Sequence, residues 1–86
     1  RINDNAVVYP NPFTSQLNVS FFNETAGEHT LELFDLQGRK VYSNTFWIRN
    51  KTFEIVTIDA GTLNTGEYVL RIDGNKNNTR RLIKFQ

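Results

Sequence analysis

A hydrolase needs a base beside a nucleophile, and His29 is the only histidine in this 86-residue sequence. It stands at the start of a segment with strand character. Glu28 is next to it in sequence but points to the other face of such a strand. An exposed or capping histidine is the expectation, not a catalytic one. No Gly-x-Ser-x-Gly elbow is present to supply a nucleophile. One histidine and scattered carboxylates give no metal-ligand cluster of recognisable spacing. Asp35, Asp59 and Asp73 each fall where a strand-like run meets a turn, so their expected work is to bond turn amides. The stretch "DGNKNN" (73–78) resembles the start of a calcium loop, but it lacks the glycine at the sixth position and the closing Glu. A hairpin tip is the better reading. No glycine-rich phosphate loop occurs. Cysteine is absent, which excludes disulfides, thiolate metal sites and a cysteine nucleophile. No catalytic residue, metal ligand or cofactor follows from this inventory, and the chain reads as a non-enzyme.

Binding chemistry is a separate matter. Trp47 and Phe46 are adjacent, so on a strand one faces inward and the other outward. A solvent-facing Trp47 would be a platform for a sugar ring, whereas a core tryptophan is the structural expectation. The tail "TRRLIKFQ" puts Arg80, Leu82 and Lys84 on one side and Arg81, Ile83 and Phe85 on the other. That suits a charged edge strand resisting unwanted pairing, or an edge kept open for a partner strand. Four Asn-x-Ser/Thr sequons, at Asn18, Asn23, Asn50 and Asn77, fit the Asn- and Thr-rich composition and would matter only in a eukaryotic secretory pathway.

The elements that must position these residues are short. Ten Lys and Arg against nine Asp and Glu leave a net charge of +1, too little for a nucleic-acid binder. No apolar run approaches the roughly 20 residues of a membrane-spanning helix. Apolar residues make up 38% of the chain and aromatics 13%, enough to argue against disorder and for a thin single core. The sequence begins at Arg1 and contains no Met, so it is expected to be a processed or excised piece of something longer, with residues 1–5 a linker remnant.

Seven extended segments are predicted, at 6–9, 16–22, 28–35, 39–48, 52–58, 66–73 and 79–86. Each is bounded by Gly, Asn, Asp or Pro, and β-branched and aromatic residues dominate them. This is the pattern of an all-β sandwich of about seven short, mainly antiparallel strands. "EHTLELFD" sends Leu31 and Leu33 one way; "GEYVLRID" aligns Tyr68, Leu70 and Ile72. Gly38 in "LQGRK" is the natural positive-φ residue of a hairpin turn. A bulge is expected near Asn44 in the long fourth segment. In the loop "IDAGTLNTGEY", Leu63 is expected to plug the apolar interior beneath.

"VVYPNPF" (7–13) holds both prolines of the chain. Neither can donate to a ladder, so Pro10 and Pro12 end the first strand, and each pushes its predecessor into extended geometry. Asn11 is expected to bond to backbone two residues on, stiffening the crossover.

Taken together, "VVYPNPF", "LELFDLQGRKVY", "IDAGTLNTGEYVLRI" and "RRLIKFQ" resemble, in order and spacing, the C-terminal sorting domain of the Bacteroidetes type IX (Por) secretion system, in its type A form. The resemblance runs from Val7 to Gln86 and carries over Pro10, Asn11 and Pro12; Asp35, Leu36 and Gly38; Leu63, Gly66 and Tyr68; and Lys84. It implies an Ig-like β-sandwich at the C-terminus of a larger secreted protein. The implied partners are the type IX translocon and its outer-membrane shuttle protein, then a gingipain-like sortase. The domain would cross the periplasm and be cleaved at export, leaving its passenger at the cell surface or released. The terminal strand, Arg80, Arg81, Leu82, Ile83, Lys84 and Phe85, is the first choice for contact, as a free edge open to strand addition. An accessory Ig-like module binding carbohydrate is the rival reading. Dimerisation through an edge strand is a further expectation.

Overall fold

The computed structural model describes residues 6–22, 24–49 and 53–86. The expected linker 1–5, the sequon residues Asn23 and Asn50, and Thr52 lie outside these. Seven strands follow one another: β1 (Ala6–Tyr9), β2 (Gln16–Phe22), β3 (Gly27–Asp35), β4 (Lys40–Ile48), β5 (Phe53–Asp59), β6 (Gly66–Ile72) and β7 (Thr79–Lys84). Their ends differ from the expected ones by at most two residues. They form a three-stranded sheet, β1-β2-β5, and a four-stranded sheet, β4-β3-β6-β7, with every neighbouring pair antiparallel. The fold is an Ig-like β-sandwich, with the fourth strand on the larger sheet.

Alternation decides which side chains fill the space between the sheets. Leu17, Val19 and Phe21 of β2 and Ile58 of β5 face Leu31, Leu33, Leu70, Ile72 and Leu82 of the larger sheet, all buried. One irregularity interrupts the ladders. Leu33 opposes Tyr42 and Phe34 opposes Lys40, so Val41 is the extra residue of a β-bulge. The expected bulge near Asn44 is therefore displaced; Asn44 sits in regular register with Leu31.

The same alternation corrects two further expectations. Phe46, opposite His29, takes the inner position and packs its ring 5.4 Å from that of Phe21. Trp47 opposes Glu28 on the outer face and is 58% exposed, not a core tryptophan. His29, in phase with Leu31 and Leu33, is buried at 7% exposure instead of lying at the surface. Its ring stacks on Phe46, centroids 6.0 Å apart.

Burial of His29 is compatible with charge because of its partners. Nε2 lies 2.6 Å from the Thr25 carbonyl oxygen and Nδ1 lies 2.8 Å from an Asp73 carboxylate oxygen. Both neighbours only accept, so both ring nitrogens must carry protons and the ring is an imidazolium. Burial works to lower its pKa. The Thr25 carbonyl, the bond to Asp73 and the charges of Asp73 and Glu24 outweigh it and hold the pKa above the ordinary 6.5. A raised pKa makes this contribution complete below pH 6.5, and it is lost as pH rises through the folded value. Thermal melts should therefore show stability falling as pH rises above 6.5, and His29→Gln should flatten that decline. A decline of equal size in the variant would refute the assignment.

Asp73 also accepts from the Thr30 amide at 2.9 Å, tying the β6–β7 hairpin to β3. The hairpin tip turns through Asp73 and Gly74, both at positive φ (56° and 66°), with the Asn75 amide donating to the Ile72 carbonyl. That is the geometry an Asp-Gly pair favours, and it bears out the hairpin reading of this stretch.

Candidate functional site

The Tyr-Pro-Asn-Pro-Phe step does more than end a strand. Both of its X-Pro bonds are cis. It carries the chain from β1, on the small sheet, to the outer side of β7, on the large one. The Asn11 Nδ2 group donates to the Arg81 carbonyl at 3.2 Å, and the Ile83 amide donates to Asn11 Oδ1 at 3.0 Å. Two residues on, the Phe13 amide donates to the Ile83 carbonyl at 2.9 Å and the Phe85 amide to the Phe13 carbonyl at 2.8 Å. Asn11 thus imitates one peptide unit and Phe13 supplies another, a parallel bridge to Lys84. The outer edge of β7 is occupied by this segment, which corrects the expectation of a free terminal edge. Asn11 spends its side chain on β7, not on backbone two residues away.

The second motif is a hairpin turn. Leu36, Gln37 and Gly38 form a three-residue loop in which the Gly38 amide donates to the Asp35 carbonyl at 3.0 Å and Gly38 takes φ 82°. Asp35 Oδ1 accepts from the amides of Gln37 (3.0 Å) and Arg39 (2.9 Å). The Arg39 guanidinium closes on Oδ2 at 3.0 Å. The Arg39 amide first, then the Arg39 charge and side-chain bond and the Gln37 amide, hold the Asp35 carboxyl below its ordinary pKa against the opposing effect of burial. Leu36 is left pointing to solvent, 59% exposed.

The third motif is a tyrosine corner. Tyr68, at the start of β6, donates its hydroxyl hydrogen to the carbonyl of Asn64, four residues upstream, at 2.5 Å. Asn64 serves through its main chain, and Leu63 packs against the core under the loop, as expected. Asp59 Oδ1 accepts from the Gly61 amide at 3.2 Å. Tyr68→Phe removes the bond to the carbonyl of Asn64, an exposed loop residue, and the loss should be about 0.5–1.5 kcal/mol in urea unfolding. An unchanged midpoint would mean the corner is held by packing alone.

Tyr68 is where the four motifs meet. Across the ladders it stands opposite Asp35 on one side and Leu82 on the other. Its ring lies 6.2 Å from that of Phe13, which is completely buried. The hairpin turn and the corner loop together line a surface groove of about 380 Å³, formed by Asp35, Leu36, Arg39, Leu63, Gly66 and Glu67 among others. In the terminal strand, Leu82 and Lys84 are buried at 2% each, and Ile83 and Phe85 face solvent. The Lys84 ammonium donates to the Gln86 carbonyl at 3.1 Å and, more weakly, to that of Phe85 at 3.4 Å. Arg81 pairs with Glu67 at 2.9 Å on the outer face. Arg80 reaches between the sheets to the Ala6 carbonyl at 3.0 Å.

Of the motif residues, then, most hold this corner together. Leu36, Ile83 and Phe85 present apolar surface. Phe13 and Arg39, absent from the carried-over set, are as integral as the residues within it. Their signals were modest: an apolar residue after the second proline, and a cation four residues beyond Asp35.

Four short motifs thus lock one end of an Ig-like sandwich. The family model for the secretion system C-terminal sorting domain matches residues 7–85, and the chain belongs to that family. It is a type IX secretion C-terminal sorting signal, which marks a protein for export across the outer membrane. The family is not one of enzymes. No curated protein and no solved structure matches the chain.

Proposed function

We propose that this domain is the C-terminal address label of a larger secreted protein and acts as a folded unit. The supporting observation is that the family's four motifs, scattered over the chain, build one corner around Tyr68. On this reading the passenger crosses the periplasm with the sandwich attached. The type IX translocon and its outer-membrane shuttle protein recognise the label, and a gingipain-like sortase removes it. The passenger is then released or attached to the surface. Because Asn11 and Phe13 cover the edge of β7, recognition falls on outward side chains, with Ile83 and Phe85 foremost. Strand addition at β7 would first have to displace four hydrogen bonds, two from the Asn11 side chain and two from the Phe13 main chain. The test is a signal-peptide-bearing reporter fused ahead of residues 1–86, expressed in translocon-competent and translocon-deficient strains. Export in the first alone, with a mass matching loss of the domain, supports the proposal. Periplasmic retention in both strains of a folded fusion refutes it.

The exposed Trp47 favours one alternative, a carbohydrate-binding module. The sorting role predicts that Trp47 fluorescence is indifferent to polysaccharides. Saturable quenching would move the assignment to the binding module.

A further inference from the structure

A sandwich of two open sheets has four edge strands, each a template for unwanted pairing. Three of them are protected here. β7 is covered by Asn11 and Phe13. β4 carries Lys40 and the bulge at Val41. β1 is four residues long, and its Ala6 carbonyl is taken by Arg80. β5 is neither covered, bulged nor short, and its only charges are Glu54 and Asp59. It is seven residues long, pairs with β2 in unbroken register, contains neither Lys nor Pro, and among the described residues no strand pairs with its other side.

The surface beside this edge is unusual too. Register places Val7, Ser20 and Ile55 in one outward row, Tyr9, Asn18 and Thr57 in a second, and Phe22 with Phe53 in a third. The Phe22 and Phe53 rings lie 5.2 Å apart. Five of the nine large apolar side chains exposed among the described residues, Val7, Tyr9, Phe22, Phe53 and Ile55, are on this face. The remaining outward row, Gln16 with Asp59, closes the face with one carboxylate. The outer face of the larger sheet, by contrast, carries the Lys40–Glu32 and Arg81–Glu67 ion pairs.

We propose that β5 forms a homodimer interface, in which β5 of one copy pairs antiparallel with β5 of another about a two-fold axis at Ile55 and the exposed Phe53 and Ile55 side chains meet those of the second copy. The proposal is independent of the sorting role. A second copy fits for three reasons. A two-fold edge pairing is self-complementary by construction. Asp59, the one charged outward residue of β5, lies four positions from the axis, and a net charge of +1 sets up little repulsion between copies. The Ile55 register also places Phe53 opposite Thr57 and Glu54 opposite Val56, with both cores on the same side of a continuous six-stranded sheet. Shifting it by one residue to a Glu54–Glu54 axis would oppose two carboxylates. Edge pairing of seven-residue strands falls near or below the ~1,000 Å² that marks a stable specific interface, so the dimer is reversible and concentration-dependent.

Sedimentation equilibrium on the 86-residue chain, from micromolar to near-millimolar concentration, should show a monomer–dimer equilibrium. Ile55→Lys places two like charges at the axis and should abolish it, while a thermal melt shows the fold retained, since Ile55 is already 48% exposed. Ile83→Lys, on the other sheet, should leave it intact. The chain has no cysteine, so Ile55→Cys gives a clean covalent trap that should form a disulfide-linked dimer under mild oxidation, whereas Ile83→Cys should not. A wild-type monomer at every concentration would overturn the proposal and leave this face for another partner. A dimer that survives Ile55→Lys, or is trapped at Ile83 instead, would overturn it equally.

Discussion

Phe13→Ala should remove a large part of the domain's stability. Phe13 is completely buried, packs against Tyr68, and follows the step that crosses from one sheet to the other. Truncating such a ring costs about 3–5 kcal/mol through lost burial and the cavity left behind. A domain of this size has a total of only about 4–13 kcal/mol. The main-chain bonds from Phe13 to Ile83 and Phe85 are open to alanine, so the loss isolates packing. Phe13→Leu should recover more than half of it. Urea unfolding followed by circular dichroism measures all three forms. Val7→Ala, on an exposed site, should stay within about 0.5 kcal/mol and serves as the reference. If Phe13→Ala cost no more than that, the crossover would be an appendage and not part of the corner.

Deleting Arg80 to Gln86 should abolish cooperative folding altogether. The deletion takes away Leu82, buried in the core, and uncovers the flank of β6 that holds Tyr68 and Leu70. It also leaves Asn11 and Phe13 without the strand they bond, and removes the Arg80 link to Ala6. Calorimetry should find no unfolding transition in the truncated chain. A transition within a few degrees of the intact domain would show that six strands suffice. The consequence for function is direct: loss of export in a chain lacking this strand reports loss of fold as well as loss of signal. Substitutions at Ile83 and Phe85 avoid the confusion, since both are exposed and should cost about 1 kcal/mol together.

Strand positions and the hairpin at Gly38 were legible because they depend on local physics: alternation, β-branched content and the turn residues that bound each run. The tail's division into buried Leu82 and Lys84 and exposed Ile83 and Phe85 follows from period two once the strand is in place. What could not be read is whatever a distant partner decides. Asn11 finds its acceptor and donor 70 and 72 residues away, on β7. Alone it looks like an ordinary turn asparagine. His29 is buried as a cation because Asp73, 44 residues on, folds back over it. Without that partner, a surface site is the reasonable expectation. Which of Phe46 and Trp47 faces inward is set by pairing with His29 and Glu28 across β3, and adjacency alone leaves both choices open. The bulge at Val41 likewise comes from matching β4 to the tight turn that ends in Arg39, not from any residue near Asn44.

The corner explains why a sorting label would be written in pieces. Its motifs are remote in sequence because a tyrosine corner, a hairpin turn, a crossover and a terminal strand reach one end of the sandwich only after folding. What that folded end leaves on β7 for a partner is the side-chain face of Ile83 and Phe85. The measurement that tests this account most directly is the exported fraction of a reporter carrying residues 1–86, compared with Ile83→Lys/Phe85→Lys and Trp47→Ala forms, each first shown to be folded by its thermal transition. Export through the translocon by the intact and Trp47→Ala domains, with the double variant folded but retained in the periplasm, is the predicted result. Undiminished export of the double variant would contradict it and place recognition elsewhere on the fold.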